Sequence, residues 1–448
     1  MRRPVTTAGA MVRGRSRQAM ATGRLPTPSG HAASDAAIAP PIRARASTSE
    51  VFVSFGLRDF RYLTLSTLAA GFAQWAKQLA LFALVYEMTG SAVQLGAVAA
   101  FRGGVGTLIA PYGGYLSDRF PRRRIIVAST LLDAALAAVL AALVLLDLTQ
   151  VWHVYVIAFG GGLAQSINQP ARQAFVYDVT TDETLPNAVA VNSMVQNISR
   201  VLGPSGFGIM MAAWGVASAL VMLVVLQVAA SIATLRISHA TRQERVTSAV
   251  SPWRMMVEGF RYSWQDKRIL GLIVVSVIPS LLIYPYIPFL KIVSEDVLHR
   301  GNSGFGMLSS MMGWGSLLGL LTLAYLGGAR HRGLLMSGCF LAYAVILLAF
   351  SQSSNYALSL SILASAGIFH SVAMALNNTL LHQVARNEMR GRVMAVNQMS
   401  HGVQAIGSFP MAFAISAWGV QSGIGAFMAA AAVCFVLFIA AWGSVRRL

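Results

Sequence analysis

The stretch GGYLSDRFPRRR, Gly113 to Arg124, is a short charged turn between two long apolar runs. Asp118 and Arg119 close the first run, and the arginines at 122–124 open the second. So many charges cannot lie in hydrocarbon, and the turn therefore marks a membrane surface. Because Lys and Arg are retained on the cytoplasmic side during insertion, the arginines predict that this surface faces the cytoplasm.

The composition of the whole chain supports a membrane protein. It has 448 residues, of which 56% are hydrophobic and 11% are charged, and its mean hydropathy is +0.61. A soluble domain carries about a quarter charged residues. The net charge is +18, but the arginines lie in the N-terminal tail and in alternate loops, which is the pattern of membrane topology and not of nucleic-acid binding. Cys339 and Cys434 lie in apolar runs without metal-ligand spacing, so no metal or cofactor is expected.

Twelve apolar runs are each long enough for a helix that crosses about 30 Å of hydrocarbon. The loops that follow even-numbered runs collect the arginines, which predicts a multi-pass protein of the bacterial cytoplasmic membrane with both termini inside. The fold class that follows is an all-α membrane protein. The predicted spans are 62–86, 91–116, 125–146, 151–172, 187–213, 215–236, 269–290, 304–326, 334–350, 356–383, 392–417 and 421–443.

Two stretches of the chain are related at an offset of 205 residues. DVTTDETLPNAVAVNSM, from Asp178, aligns without gaps on QVARNEMRGRVMAVNQM, from Gln383. Both enter a span, the fifth and the eleventh, so the offset equals six helices and a loop. Chance is an alternative for so short a match, but a duplicated six-helix unit is the architecture of transporters that bind substrate between two halves.

The expected domains follow from this repeat. Residues 1–53 form a disordered basic cytoplasmic tail, because they lack large apolar side chains. Two six-helix bundles span 54–237 and 269–448. The cytoplasmic linker between them, 238–268, contains an amphipathic stretch from Trp253 to Trp264 that predicts a helix lying on the membrane surface.

Four spans carry polar side chains at helical spacing, and such faces must look away from lipid. They line a substrate cavity, or they form interhelical hydrogen bonds worth about 0.6 kcal/mol each. The cavity is favoured for the four faces taken together. The amide residues assigned to substrate binding are Gln165 and Asn168 in helix 4, Asn192 and Gln196 in helix 5, Asn377 and Asn378 in helix 10, and Asn397 and Gln404 in helix 11.

Four ionisable residues lie deep within spans: Lys77, Arg102, Asp133 and Arg200. A buried charge must pair, neutralise or face water. The three cations are expected to bind an anionic or carbonyl-rich substrate, and Asp133 is expected to carry a coupled proton. The alternative is a structural network of ion pairs, in which Arg102 is the expected partner of Asp133.

The turn from Gly113 to Arg124 resembles the loop signature of the major facilitator superfamily between the second and third helices. Gly114, Asp118, Arg119, Arg122 and Arg123 match that signature, whereas Pro121 replaces its usual glycine. Three further stretches resemble bacterial exporters similar to the enterobactin exporter, a subgroup also described as transmembrane secretion effectors. They are VYEMTGSAVQLG at 85–96, the region 168–208, and RGRVMAVNQ at 390–398.

The resemblance implies a gate at this turn. In that family Asp118 would cap the helix that begins near Arg390, and Asp178 would join it through Arg119 or Arg122. The pair Gly203 and Pro204 resembles an element of proton-coupled antiporters, with a looser glycine pattern than theirs.

These features predict a secondary active transporter that moves small organic molecules outward, coupled to protons, by alternating access. Siderophores and drugs are the expected substrate classes. The expected partners are the substrate, protons and the lipid bilayer, with no nucleic acid, and the protein is expected to be a monomer. The alternatives are an importer or lysolipid flippase of the same fold, or a membrane scaffold or sensor that transports nothing. An enzyme is disfavoured, because the chain has no nucleotide-binding loop, HExxH motif or Ser-His-Asp arrangement.

Overall fold

The computed structural model describes residues 54–181, 183–238, 252–326, 331–386, 389–446 and 448. Within these ranges, the side chains of 108, 110, 111, 118, 252–256, 326, 401 and 446 are not described. The predicted tail at 1–53 and most of the non-helical part of the linker lie outside the described residues. The four-part division into domains stays a prediction.

The described chain is built from helices, and its all-α class is confirmed. The first half contains α1 (Arg58–Thr89), α2 (Ala92–Arg119), α3 (Arg122–Leu145), α4 (Val151–Asp178) and α5 (Leu185–Leu235). After α6 (Pro252–Gln265) come α7 (Lys267–Ile278), α8 (Tyr286–Ile292), α9 (Gly301–Leu326), α10 (Arg332–Ser351), α11 (Tyr356–Val384), α12 (Arg390–Gly402), α13 (Gln404–Trp418), α14 (Val420–Ala441) and the short α15 (Gly443–Arg446).

Short polar signals set the ends of these helices. Gly90, with φ of 58°, ends α1, and the Ser91 side chain accepts a hydrogen bond from the Gln94 N–H at the start of α2. The Asn355 side chain caps α11 in the same way through the N–H of Leu358. These side chains satisfy backbone donors that the first helical turn leaves unpaired.

The described helices form twelve membrane crossings. Eight segments are long and apolar enough to cross a membrane by themselves, α5 among them. α5 supplies two crossings, because Gly215 adopts a φ of 75° that breaks it where the sequence predicted a boundary between two spans. The more polar α2 and α4 and the pair α12–α13 supply the rest. The seventh crossing, Lys267–Val297, is interrupted by π-helical turns at Pro279–Ile283 and Val293–Val297.

The two ends of the bundle differ in charge. The end where α2 passes into α3 carries Arg119 and the arginines at 122–124, and α7, α10 and α12 also begin there with Arg268, Arg332 and Arg390. We call it the basic end. The opposite end, where α1 passes into α2 at residues 90–91, is called the far end.

The halves pack internally and then against each other. In the first half α1 packs on α5, α2 on α4, and α3 on both α4 and α5, while in the second half α11 packs on α9 and α10. Between halves, α5 packs on α9 and α2 on α13. A Cβ atom built on Gly208 of α5 would lie 2.6 Å from the Gly306 Cα of α9, so only glycine permits this approach.

Candidate functional site

A polar cavity of about 210 Å³ lies inside the first half, among α1, α3, α4 and α5. Its wall is rich in amide side chains, which are costly against lipid but suit a water-filled or ligand-filled space. Seven residues that the sequence assigned to substrate binding or proton coupling border it: Lys77, Asp133, Gln165, Asn168, Asn192, Gln196 and Arg200. Their functional roles stay predictions.

The charged centre of this cavity is an ion pair between α1 and α3. The Lys77 Nζ donates to both oxygens of Asp133, at 2.8 Å and 3.0 Å, and the Gln227 Nε2 donates to Asp133 Oδ2 at 2.6 Å. The side chains of Lys77 and Asp133 are 6% and 8% exposed. We call these three residues the Lys77–Asp133–Gln227 group. Gly161 of α4 leaves room for it, since a Cβ there would lie 3.2 Å from the ammonium.

The expected pairing of Asp133 with Arg102 is wrong. Arg102 forms no ion pair within the described residues and instead donates to the Gln78 Oε1 at 3.4 Å. The reason is helix direction, because a helical side chain leans toward the N-terminus of its helix. α1 and α3 begin at the basic end, so Lys77 reaches down toward Asp133, whereas α2 begins at the far end and turns Arg102 away.

Two further arginines border the cavity, and neither has a carboxylate partner among the described residues. The buried Arg172 of α4 donates from Nε to the Asn168 Oδ1 at 3.1 Å and from NH1 to the Ser66 Oγ at 2.9 Å. Its NH2 is buried without a partner. Arg200 of α5 is exposed, borders the cavity and makes no hydrogen bond to a described residue.

The remaining predicted substrate residues lie outside this cavity. Asn377 is fully buried and donates to the Ser276 Oγ at 2.8 Å, and the Gln404 Nε2 donates to the Tyr284 carbonyl at 3.2 Å. Asn397 is buried and Asn378 is half-buried. For Asn377 and Gln404 the geometry is that of interhelical hydrogen bonds, the alternative that the sequence left open.

At the basic end, Asp178 is held by one of its two expected partners. The Arg122 NH1 lies 2.6 Å from the Asp178 Oδ1, and the side chain of Asp178 is 3% exposed. Arg119 is exposed and donates to the Tyr115 hydroxyl at 2.7 Å, while Arg123 donates to the Leu235 carbonyl at 2.5 Å. The Asp118 side chain lies outside the described part of the chain, so its predicted lock with the start of α12 at Arg390 is not described.

The other predicted gating residues lie where helices meet or where space is open. A Cβ on Gly114 would meet no atom within 4 Å. Gly203 packs on Trp75, which borders the cavity, and the carbonyl of Pro204 faces Gly306 across the two halves. Their gating roles stay predictions.

The two halves are hydrogen-bonded to each other at the far end, a feature that the sequence did not predict. Lys291 is 1% exposed, and its ammonium donates to Glu87 at 3.3 Å, Glu295 at 2.8 Å and Asn302 at 2.7 Å. Asn302 donates in turn to Glu87 at 2.9 Å. Tyr86 donates to Asp296 at 2.5 Å. We call Glu87, Lys291, Glu295 and Asn302 the far-end latch.

Comparison with known proteins gives a consistent family assignment. The profile of the Major Facilitator Superfamily matches residues 63–405. Macrolide efflux protein A of Streptococcus pyogenes is 24% identical over 261 residues, which are 58% of this chain and 64% of that protein's length. The staphyloferrin A transporter of Staphylococcus aureus is 21% identical over 80% of this chain and 90% of its own. The multidrug efflux pump Tap of Mycolicibacterium fortuitum is 24% identical over 70% and 78%.

Solved structures share the fold at low sequence identity. The nucleoside transporter NupG superposes with a TM-score of 0.68 at 13% identity, covering 86% of this chain and 99% of its own. A D-xylose–proton symporter superposes with a TM-score of 0.64 at 13% identity, covering 85% and 97%. At these identities the likeness concerns the arrangement of the helices.

Proposed function

Because the chain belongs to the Major Facilitator Superfamily, we propose that it is a proton-coupled exporter of small organic molecules. Membership makes it a multi-pass membrane transporter rather than an enzyme. Outward direction and proton coupling are our proposal. The names of three relatives support export or siderophore transport as the starting point, namely a macrolide efflux protein, a staphyloferrin A transporter and a multidrug efflux pump.

The observation that carries the proposal is the Lys77–Asp133–Gln227 group beside the cavity. Asp133 is a carboxylate within a span, held by one cation and one amide, and it borders the cavity in which a substrate would lie. An ion pair in this setting is costly unless it is fully bonded, and it marks a functional site by default. Uptake of a proton by Asp133 would release the Lys77 ammonium into the cavity and change the charge that a substrate meets.

Alternating access follows from the contacts between halves. The far-end latch and the approach of Gly208 to Gly306 hold the far end together. The excess of arginine assigns the basic end to the cytoplasm. Substrate would therefore enter the cavity from the cytoplasm in this conformation, and rocking of the halves, with loss of the latch, would expose it to the far end.

The test compares spent medium and cell extract by mass spectrometry. One strain lacks this chain, one expresses it, and one expresses Asp133→Asn. A fourth strain expresses Asp147→Asn as a matched control, because this is the same substitution at an exposed residue that is not among those bordering the cavity. We expect one compound to accumulate inside cells that lack functional protein and to fall in their medium. Depletion of a compound inside those cells would instead establish an importer. Identical profiles would contradict export under those conditions.

A further inference from the structure

Among the described residues that border the cavity, positive side chains outnumber negative ones. Lys77, Arg172 and Arg200 border it with a single carboxylate, Asp133. That carboxylate is committed to Lys77 and Gln227 at 3.0 Å or less. Neither guanidinium group therefore has a negative partner among the described residues. For the buried Arg172 this is unfavourable. Other anions must offset them when the cavity is filled.

Arg172 is the stronger of the two indications. It is 8% exposed, and its hydrogen-bonded neighbours, Asn168 and Ser66, are both neutral. Its NH2 group is buried without a partner, and the residue borders the cavity. A guanidinium is a rigid fork that matches a carboxylate or sulfonate with two parallel hydrogen bonds. Because Nε and NH1 already donate to Asn168 and Ser66, NH2 is the donor that remains for an anionic ligand.

Arg200 supplies a second cation from α5. Its carbonyl oxygen would lie 3.1 Å from a Cβ built on Gly313 of α9, so Arg200 lies where the two halves meet. Gln165, Asn192 and Gln196 add neutral polar side chains to the same wall, and Trp75 adds an apolar aromatic face. This combination suits an organic molecule with acidic groups at one side and a flat or apolar part at the other.

We propose that the substrate is an organic anion whose acidic groups are bound by Arg172 and Arg200. This inference rests on the proposed function and assigns its substrate class. The membrane potential, negative inside, assists the outward movement of an anion.

Binding to the purified full chain in detergent tests the inference without any transport assay. The probes are succinate, phthalate and 1,3-benzenedisulfonate, and their neutral counterparts are succinamide, phthalamide and 1,3-benzenedisulfonamide. All are added at one ionic strength, and binding is followed as a saturable rise in the unfolding temperature. We expect at least one anion to bind and its neutral counterpart not to bind.

Variants separate specific binding from general attraction. Arg200→Gln should lower the affinity for the anion by about 10- to 100-fold, since it removes a charge-assisted hydrogen bond. Arg200 makes no hydrogen bond to a described residue, so this variant is expected to fold. Arg172→Lys keeps the positive charge but loses the planar guanidinium group. It should lower the affinity for the anion less than Arg200→Gln does. Arg124→Gln, the same charge change on an exposed residue, should leave affinity unchanged.

Three results would overturn the inference: no binding of any of the three anions, equal binding of the neutral counterparts, or equal weakening in Arg124→Gln and Arg200→Gln. The two proposals fail separately. A neutral or cationic compound identified in the strain comparison would refute the substrate class while export stands. Anion binding that depends on Arg200, in a chain that changes no compound's distribution, would refute export and leave the binding site.

Discussion

Replacement of Asp133 by Asn should destabilise the protein more than any other single change in the Lys77–Asp133–Gln227 group. The ion pair is 2.8 Å long, with side chains 6% and 8% exposed. At an effective dielectric constant of about 20, its gross Coulomb energy is about 6 kcal/mol. Removing one partner of a buried pair costs about 3–5 kcal/mol, and we expect the lower end of that range because the pair borders a cavity instead of lying in packed protein. Lys77 would then lose its carboxylate partner in a cavity that Arg172 and Arg200 also border.

Lys77→Gln should lower the free energy of unfolding by about 1–2 kcal/mol less than Asp133→Asn does, because Asp133 would keep the Gln227 hydrogen bond. The double variant Lys77→Gln/Asp133→Asn has no buried charge to compensate at this site and should fall within about 1 kcal/mol of the wild type. Unfolding by sodium dodecyl sulfate in mixed micelles, followed by circular dichroism, measures all four proteins as a double-mutant cycle. The reasoning is refuted if the loss in the double variant equals the sum of the two single losses.

Three further predictions concern the contacts between halves and the predicted gate. Gly208→Ala should lower the free energy of unfolding by about 1–3 kcal/mol, because it forces α5 away from Gly306. It should also raise thiol labelling of cysteines introduced at the far end. Gly206→Ala, with open space around the glycine, should change neither quantity. Lys291→Ala should remove the cation of the far-end latch and lower stability by about 1–3 kcal/mol in the same unfolding assay, and a stability unchanged within error would show that the latch contributes nothing. Asp118→Asn should insert and fold normally but cut transport severely, and full transport by a variant expressed at wild-type level would count against a lock at this turn.

Much of the fold could be predicted from the sequence, because a lipid environment leaves few choices for an apolar run. Runs of about 20 apolar residues must be helical to satisfy their backbone groups. The alternation of arginines between loops then orders them. The boundary at Trp214 and Gly215 was predicted to within a residue, since a glycine between two runs permits a positive φ. The π-helical turns of the seventh crossing were not predicted, because they depend on packing against other helices rather than on local composition.

The site was harder to predict, because the position of a residue along its helix does not show toward which neighbouring helix its side chain points. Polar residues of helices 4 and 5 border the cavity, since several at helical spacing must share a face, and their roles in substrate binding stay predictions. The partner of Asp133 was assigned to the wrong cation, which comparison of helix directions would have corrected. Gln227 was missed, although it is the one amide in the apolar run at 215–235. Arg172 was not assigned to substrate binding, because the burial of its NH2 group depends on tertiary structure.

The most direct test of the account is a transport measurement with the compound that the strain comparison identifies. Wild type and Asp133→Asn are reconstituted in liposomes, and each is assayed for exchange of labelled for unlabelled compound at equal pH and for net movement under an imposed pH gradient. We predict that both proteins exchange the compound and that only the wild type responds to the gradient. Net movement in Asp133→Asn that responds to the gradient as in the wild type would contradict proton coupling at Asp133.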